Sequence, residues 1–257
     1  MENEKLILVC NDDGVTAPGI QNLIEVVKPY GKVVVVAPDK PQSGMGHAIT
    51  INATLRNQLV KKDENLEVYS CTGTPVDCIK MAVNVILKRK PDLVVSGINH
   101  GSNASINVIY SGTMSAAIEG CLEGIPSIGF SLLDHSIDAN FEESKPFVKK
   151  IIEETLENGL PNGVCLNVNI PKLKKQEIRG IKVCRQANAN WEEEFDERKD
   201  PMGKSYFWLT GVFKNYDKGT DTDIWALENN YVSVVPVLYD LTAHQALQNL
   251  NQWNFNV

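Results

Sequence analysis

Apolar residues fall into short runs separated by polar, glycine-bearing breaks. Lys5–Cys10 (KLILVC), residues 32–37 (KVVVVA), Leu66–Cys71, residues 92–96 (DLVVS) and Ser127–Leu132 are each five or six residues long. Unbroken apolar runs of this length, rich in β-branched residues, predict strands buried on both faces, as in a parallel sheet. Between them the spacing becomes helical. Residues 17–28 put Ile20, Leu23, Ile24 and Val27 on one face, with Pro18 suited to a first helical position. Residues 76–87, 113–122 and 141–156 also read as helices. Alternation of strand and helix predicts βαβ units, and hence a doubly wound, mostly parallel α/β core covered by helices on both sides.

The second half changes character. Val164–Ile170 (VCLNVNI) and residues 181–185, 206–213 and 231–237 are strand-like, with few helical stretches between them. Residues 191–200 are polar and carry glutamates at 192, 193 and 194, which predicts a solvated loop or an extended arm. Residues 241–250 have helical spacing suited to packing on the core or on a neighbouring subunit. There is no internal repeat and no low-complexity linker. The chain therefore reads as one domain over residues 1–257, with a core to about residue 180 and a β-rich extension over about 181–257.

With 257 residues and 43% apolar composition, the chain can bury a core without a disulfide or metal staple. It has 25 basic and 32 acidic side chains and a net charge of −7, which argues against a protein that coats DNA or RNA. The charge of a small anionic ligand must therefore be met locally, by a metal or by backbone N–H groups. Six cysteines, with no C-x-x-C pair and mostly in apolar runs, fit a reducing compartment better than a secreted disulfide framework. Residues 1–5 are polar and unlike a signal peptide, and no apolar stretch is long enough to cross a bilayer. The expected location is the cytoplasm, with no membrane partner.

In an open parallel sheet, ligands bind beyond the carboxyl ends of the strands. The residues just after the apolar runs are unusually polar here. The first run is followed by Asn11, Asp12 and Asp13, the second by Asp39 and Gln42-Ser43-Gly44, and the 92–96 run by a Gly- and Asn-rich loop with Asn99 and Asn103. Hard oxygen donors from three strand tips suit Mg²⁺, Mn²⁺ or Ca²⁺ better than zinc. Asn11-Asp12-Asp13-Gly14 is equally good turn chemistry, and Ser43 alone carries little signal. Ser111, Gly112 and Thr113 precede a helix. Ser or Thr there is first of all an N-cap, but the same geometry offers N–H groups and hydroxyls to phosphate oxygens, with Gly112 allowing close approach. A P-loop, a complete G-x-G-x-x-G and a G-x-S-x-G elbow are all absent.

These residues resemble the SurE (survival protein E) nucleotidase family nearly end to end. The resemblance rests on Asn11-Asp12-Asp13-Gly14, Gln42-Ser43-Gly44, Gly73-Thr74-Pro75, Ser96-Gly97-Ile98-Asn99 with Asn103, and Tyr110-Ser111-Gly112-Thr113. It continues through Asn167-Val168-Asn169, Asp200-Pro201, Trp208-Leu209, Gly219-Thr220-Asp221 and Tyr231-Val232-Ser233. It implies a Rossmann-like core and a metal-dependent phosphatase for nucleoside 5′- and 3′-monophosphates. It also implies a homodimer or homotetramer that exchanges C-terminal elements. By position, one divalent cation per subunit, Mg²⁺ or Mn²⁺ with Ca²⁺ possible in crystals, would be held by Asp12, Asp13, Ser43 and Asn99. Met114, Ala187 and His100 depart from the family's usual residues without touching these ligands.

The expected reaction is direct hydrolysis of a phosphomonoester. Asn99, Asn103 and Ser111–Thr113 would hold phosphoryl oxygens, and Asp12 or Asp13 would act as general base. His100 would be incidental or protonate the leaving oxygen. Residues 44–51 and 219–223 would frame the nucleoside or form ordinary turns. Two alternatives stay open: a phosphatase forming a covalent aspartyl-phosphate, and a non-enzymatic nucleotide- or metal-binding module.

Overall fold

The computed structural model describes residues 4–136 and 138–255. The first three residues of the polar 1–5 segment lie outside the described residues. Nine strands form one mixed sheet: β1 (Lys5–Cys10), β2 (Gly31–Pro38), β3 (Asn57–Lys62), β4 (Leu66–Cys71), β5 (Leu93–His100), β6 (Ser127–Leu132), β7 (Val164–Ile170), β8 (Gly180–Val183) and β11 (Tyr231–Leu238). Their order is β3-β4-β2-β1-β5-β6-β7-β11-β8. All neighbours run parallel except β3 against β4 and β11 against β7. The remaining strands, β9 (Ala189–Lys199) and β10 (Ser205–Asn215), form a separate antiparallel hairpin.

The apolar runs are continuous because each strand feeds two cores. Successive side chains point to opposite faces. Ile7, Val9, Val33, Val35, Leu93 and Val95 enter one cluster; Leu6, Leu8, Cys10, Val34, Val36 and Val94 enter the other. The first cluster is closed by α1 (Pro18–Val27) and α4 (Lys145–Asn158), and the second by α2 (Pro75–Met81) and α3 (Gly112–Leu122). Each fully buried Val, Leu or Ile contributes about 1.5–3 kcal/mol of hydrophobic stabilisation. All six cysteines are buried free thiols, behaving as small apolar residues.

Local chemistry sets the helix starts. Thr74 caps α2 and Asp77 returns the bond, a reciprocal capping box. Ser111 caps α3 by accepting from the Met114 N–H at 3.0 Å. The sequence reading differs from the structure mainly in the second half. The strands at 164–170, 180–183 and 231–238 extend the main sheet, and the polar 191–200 stretch is strand β9 in an exposed arm. β3 and the short α5 (Asp223–Glu228) carry no strong sequence signal. The helix read over 76–87 ends as α at Met81 and continues as a π turn to Ile86.

Topology places the ligand end. β1 lies between β2 and β5, so the chain runs outward from β1 through β2 and returns to β5 on its other side. That reversal opens a crevice at the carboxyl ends of β1 and β5, where sheets of this kind take ligands.

Candidate functional site

A cleft of about 650 Å³ opens at that reversal, and Asp12, Asp13, Ser43, Asn99, Asn103 and Ser111 all line it. Each arrives by a local device. After β1 the chain turns sharply, with Asn11 Nδ2 donating to Gly14 O at 2.9 Å and Gly14 at φ +103°, a conformation that glycine adopts without strain. The Gln42 N–H donates to Asp12 O at 2.8 Å, which ties the loop after β2 to this turn and brings Ser43 beside the carboxylates. At the end of β5, Asn99 Nδ2 donates to His100 O at 3.1 Å and Gly101 O at 3.0 Å. Those two bonds commit the Asn99 amide nitrogen and leave its Oδ1 as the atom offered to a ligand.

Helix α3 meets the site through Asp12. A Cβ on Gly112 would lie 2.7 Å from Asp12 Cβ and 2.9 Å from Asp12 Oδ2, so only glycine lets the helix start so near the carboxylate. Thr113 Oγ1 donates to Asp12 Oδ1 at 2.5 Å. The sequence reading offers the Thr113 hydroxyl to phosphate; the structure instead gives its hydrogen to Asp12, and neither Gly112 nor Thr113 lines the cleft. Ser111 differs: its Oγ accepts from Met114 N–H and retains its own hydrogen for a ligand in the cleft. Asn103 is anchored by neighbouring strands, its Nδ2 donating to Ser131 Oγ at 2.8 Å and its backbone N–H to Asn169 Oδ1 at 2.8 Å.

The electrostatics are one-sided. Burial pushes the Asp12 carboxyl up to about 6; the Thr113 hydrogen bond opposes that push and the Asp13 charge adds to it. Asp13 Oδ2 lies 3.3 Å from His100 Nδ1, and the His100 ring packs edge-on against Phe141. His100, expected not to touch the proposed ligands, is thus a half-buried partner of one of them, Asp13. Among the described residues, no Lys or Arg lines the cleft.

The donor set fits a hard divalent cation: two carboxylates, an amide oxygen and a hydroxyl from three neighbouring strand ends. Among the described residues, no three His, Cys, Asp or Glu side chains gather in a metal-holding group. Any cation here would therefore lean on the neutral oxygens of Ser43 and Asn99.

The sequence reading did not assign Asn107, Tyr110, His135, Trp191 or Phe213, which also line the cleft. The 44–51 stretch contributes Gly44, while 219–223 contributes nothing and Ile224 lies just beyond it. A polar, glutamate-rich strand conceals Trp191, because only the hairpin fold turns that ring toward the sheet.

A family model, Survival protein SurE, matches residues 7–193. The chain belongs to the SurE family. That match takes in Asp12, Asp13, Ser43, Asn99, Asn103 and Ser111. A protein named 5'-nucleotidase SurE from Flavobacterium johnsoniae is 66% identical over 258 residues, covering 100% of both chains. The protein of the same name from Flavobacterium psychrophilum is 64% identical over 255 residues, covering 99% of each. The crystal structure of the SurE protein from Aquifex aeolicus superposes with a TM-score of 0.83 at 41% identity, covering 96% of this chain and 98% of that one. The SurE fold is therefore shared across nearly the whole length.

Proposed function

We propose that this chain is a divalent-metal-dependent 5′-nucleotidase that hydrolyses nucleoside monophosphates to nucleoside and phosphate. The observation that carries the reading is charge. Asp12, Asp13 and Glu228 line the cleft, and no Lys or Arg among the described residues offsets them. A phosphate dianion entering alone would meet like charge in a partly desolvated site, which costs several kcal/mol unless a cation intervenes. The names of the Flavobacterium relatives support the same reaction.

In this reading Asp12, Asp13, Ser43 and Asn99 hold Mg²⁺ or Mn²⁺. Such an ion, when bound, neutralises phosphoryl charge and polarises the P–O bonds. The protein's own groups do the rest. Thr113 fixes one Asp12 oxygen, and the two carbonyl contacts of Asn99 fix its amide plane. The Ser111 hydroxyl and the Asn103 amide donate to phosphoryl oxygens, while Gly112 keeps the helix start close behind them. Asp13, with one oxygen on His100, takes the proton of the attacking water as the P–O bond to the nucleoside breaks. Solvent water returns a proton to the released nucleoside oxygen, and the imidazole holds the Asp13 carboxylate in place. Positioning and charge stabilisation dominate phosphoryl transfer, so these placements are the catalyst.

The exposed hairpin supports a homo-oligomer, dimer or tetramer, that exchanges C-terminal elements. Phe195, Phe207, Trp208 and Leu209 are all more than half exposed on it, far more apolar surface than an isolated arm retains in water.

Phosphate release from AMP tests the reaction. Activity is expected to vanish with a chelator, to return with Mn²⁺ or Mg²⁺, and to fall by about 10³-fold or more in Asp12→Ala with an unchanged circular dichroism spectrum. Wild-type turnover by Asp12→Ala in Mn²⁺ would refute the site.

A further inference from the structure

The cleft is far larger than a phosphate group requires, and its lining is of two kinds. Asp12, Asp13, Asn99 and Ser111 come to it from the sheet and the start of α3, whereas Trp191 and Phe213 come from the hairpin. We infer that Trp191, braced by Asn107 and Phe213, is the platform on which the nucleobase stacks, so that base stacking selects nucleotides over other phosphomonoesters. This rests on the nucleotidase reading and adds to it the residue that sets substrate class.

The platform is built rather than incidental. Trp191 and Phe213 face each other across the hairpin register, with ring centroids 5.4 Å apart at an interplanar angle of 64°. The indole Nε1 donates to Asn107 Oδ1 at 2.8 Å. Asn107 sits in the 3₁₀ turn Ser105–Ile109, a few residues before Ser111, so one short segment carries both the Trp191 partner and a polar lining residue of the cleft. The base of the hairpin is stapled to the same segment. Ser105 Oγ donates to Ala187 O at 2.9 Å, and buried Asp223 accepts from the Ser105 N–H at 2.7 Å and the Ala187 N–H at 2.9 Å.

With its N–H satisfied and its edge held, Trp191 still leaves 40% of its surface exposed. A large ring fixed in orientation on a cleft wall presents a π face to a flat partner, and all four bases have one. The bases should therefore be nearly interchangeable, and a base-free sugar phosphate should be the poor substrate.

The test compares kcat/KM for AMP with that for ribose 5-phosphate in the wild type, Trp191→Ala and Trp191→Phe. Removing a stacking ring is expected to lower the AMP to ribose 5-phosphate ratio by about five- to a hundred-fold, mainly through KM for AMP. Trp191→Phe, which keeps a ring, is expected to hold the ratio within about threefold of wild type. A ratio unchanged in Trp191→Ala would overturn the platform while leaving the nucleotidase reading standing, since a merely structural ring would affect both substrates alike. If Trp191→Ala fails to fold, the wild type alone still decides: adenosine should compete with AMP at concentrations where ribose does not, and equal competition would overturn the inference. Absence of any AMP hydrolysis by the metal-loaded wild type would overturn the nucleotidase reading, and this one with it.

Discussion

Asp12 answers two opposed demands. Folding buries it against α3 and beside Asp13, which raises its pKa to about 6, while the proposed chemistry needs it ionised. A carboxyl with a raised folded pKa costs stability once pH climbs above its unfolded value near 3.8, and the cost is complete above the folded value. Asp12→Asn keeps an oxygen for Thr113 and removes the charge. In chelator at pH 7 it is expected to be more stable than wild type by up to about 3 kcal/mol, with the gain vanishing below about pH 4. Thermal unfolding against pH checks this, and an equal or lower melting temperature at pH 7 would contradict it. Nucleotide hydrolysis should be lost in the same variant. The sequence marked Asp12 by its place after an apolar run, but not its tie to Thr113, because the two residues lie 101 positions apart.

The start of α3 is where a single methyl matters. A Cβ on Gly112 would intrude within 3 Å of Asp12. Gly112→Ala is therefore expected to lower stability by about 1–3 kcal/mol through overpacking. It should also cut AMP hydrolysis at least about tenfold, because small misplacements at a reacting centre are expensive. Denaturant unfolding and phosphate release measure the two effects; full activity would show that the carboxylate is free to move aside. Among the elements, the buried strands were the most legible, since burial on both faces writes itself as an unbroken apolar run. β3, with all six residues exposed, and β9, exposed along nearly its whole length, carry no such mark. Their pairing depends on partners supplied by β4 and β10.

At the scale of the whole molecule, the sheet and the arm make different demands. The sheet is closed by helices on both faces, whereas the arm leaves its aromatic residues to solvent in the single chain. Light scattering is expected to report a dimer or tetramer, and replacing Phe195, Phe207 and Leu209 together with serine should shift it toward monomer. A wild-type monomer at micromolar concentration would remove the case for exchange. Among the described residues no helix is long and apolar enough to cross a membrane.

Hydrophobic periodicity by itself determined the alternation of strand and helix, the parallel core and the strand tips that carry polar residues, because each of these depends on neighbours in the chain. Only the tertiary structure decided that β8 and β11 complete the main sheet, that Thr113 serves Asp12, and that the Trp191 ring reaches the cleft. Those outcomes rest on contacts between residues tens of positions apart, whose geometry no local pattern encodes.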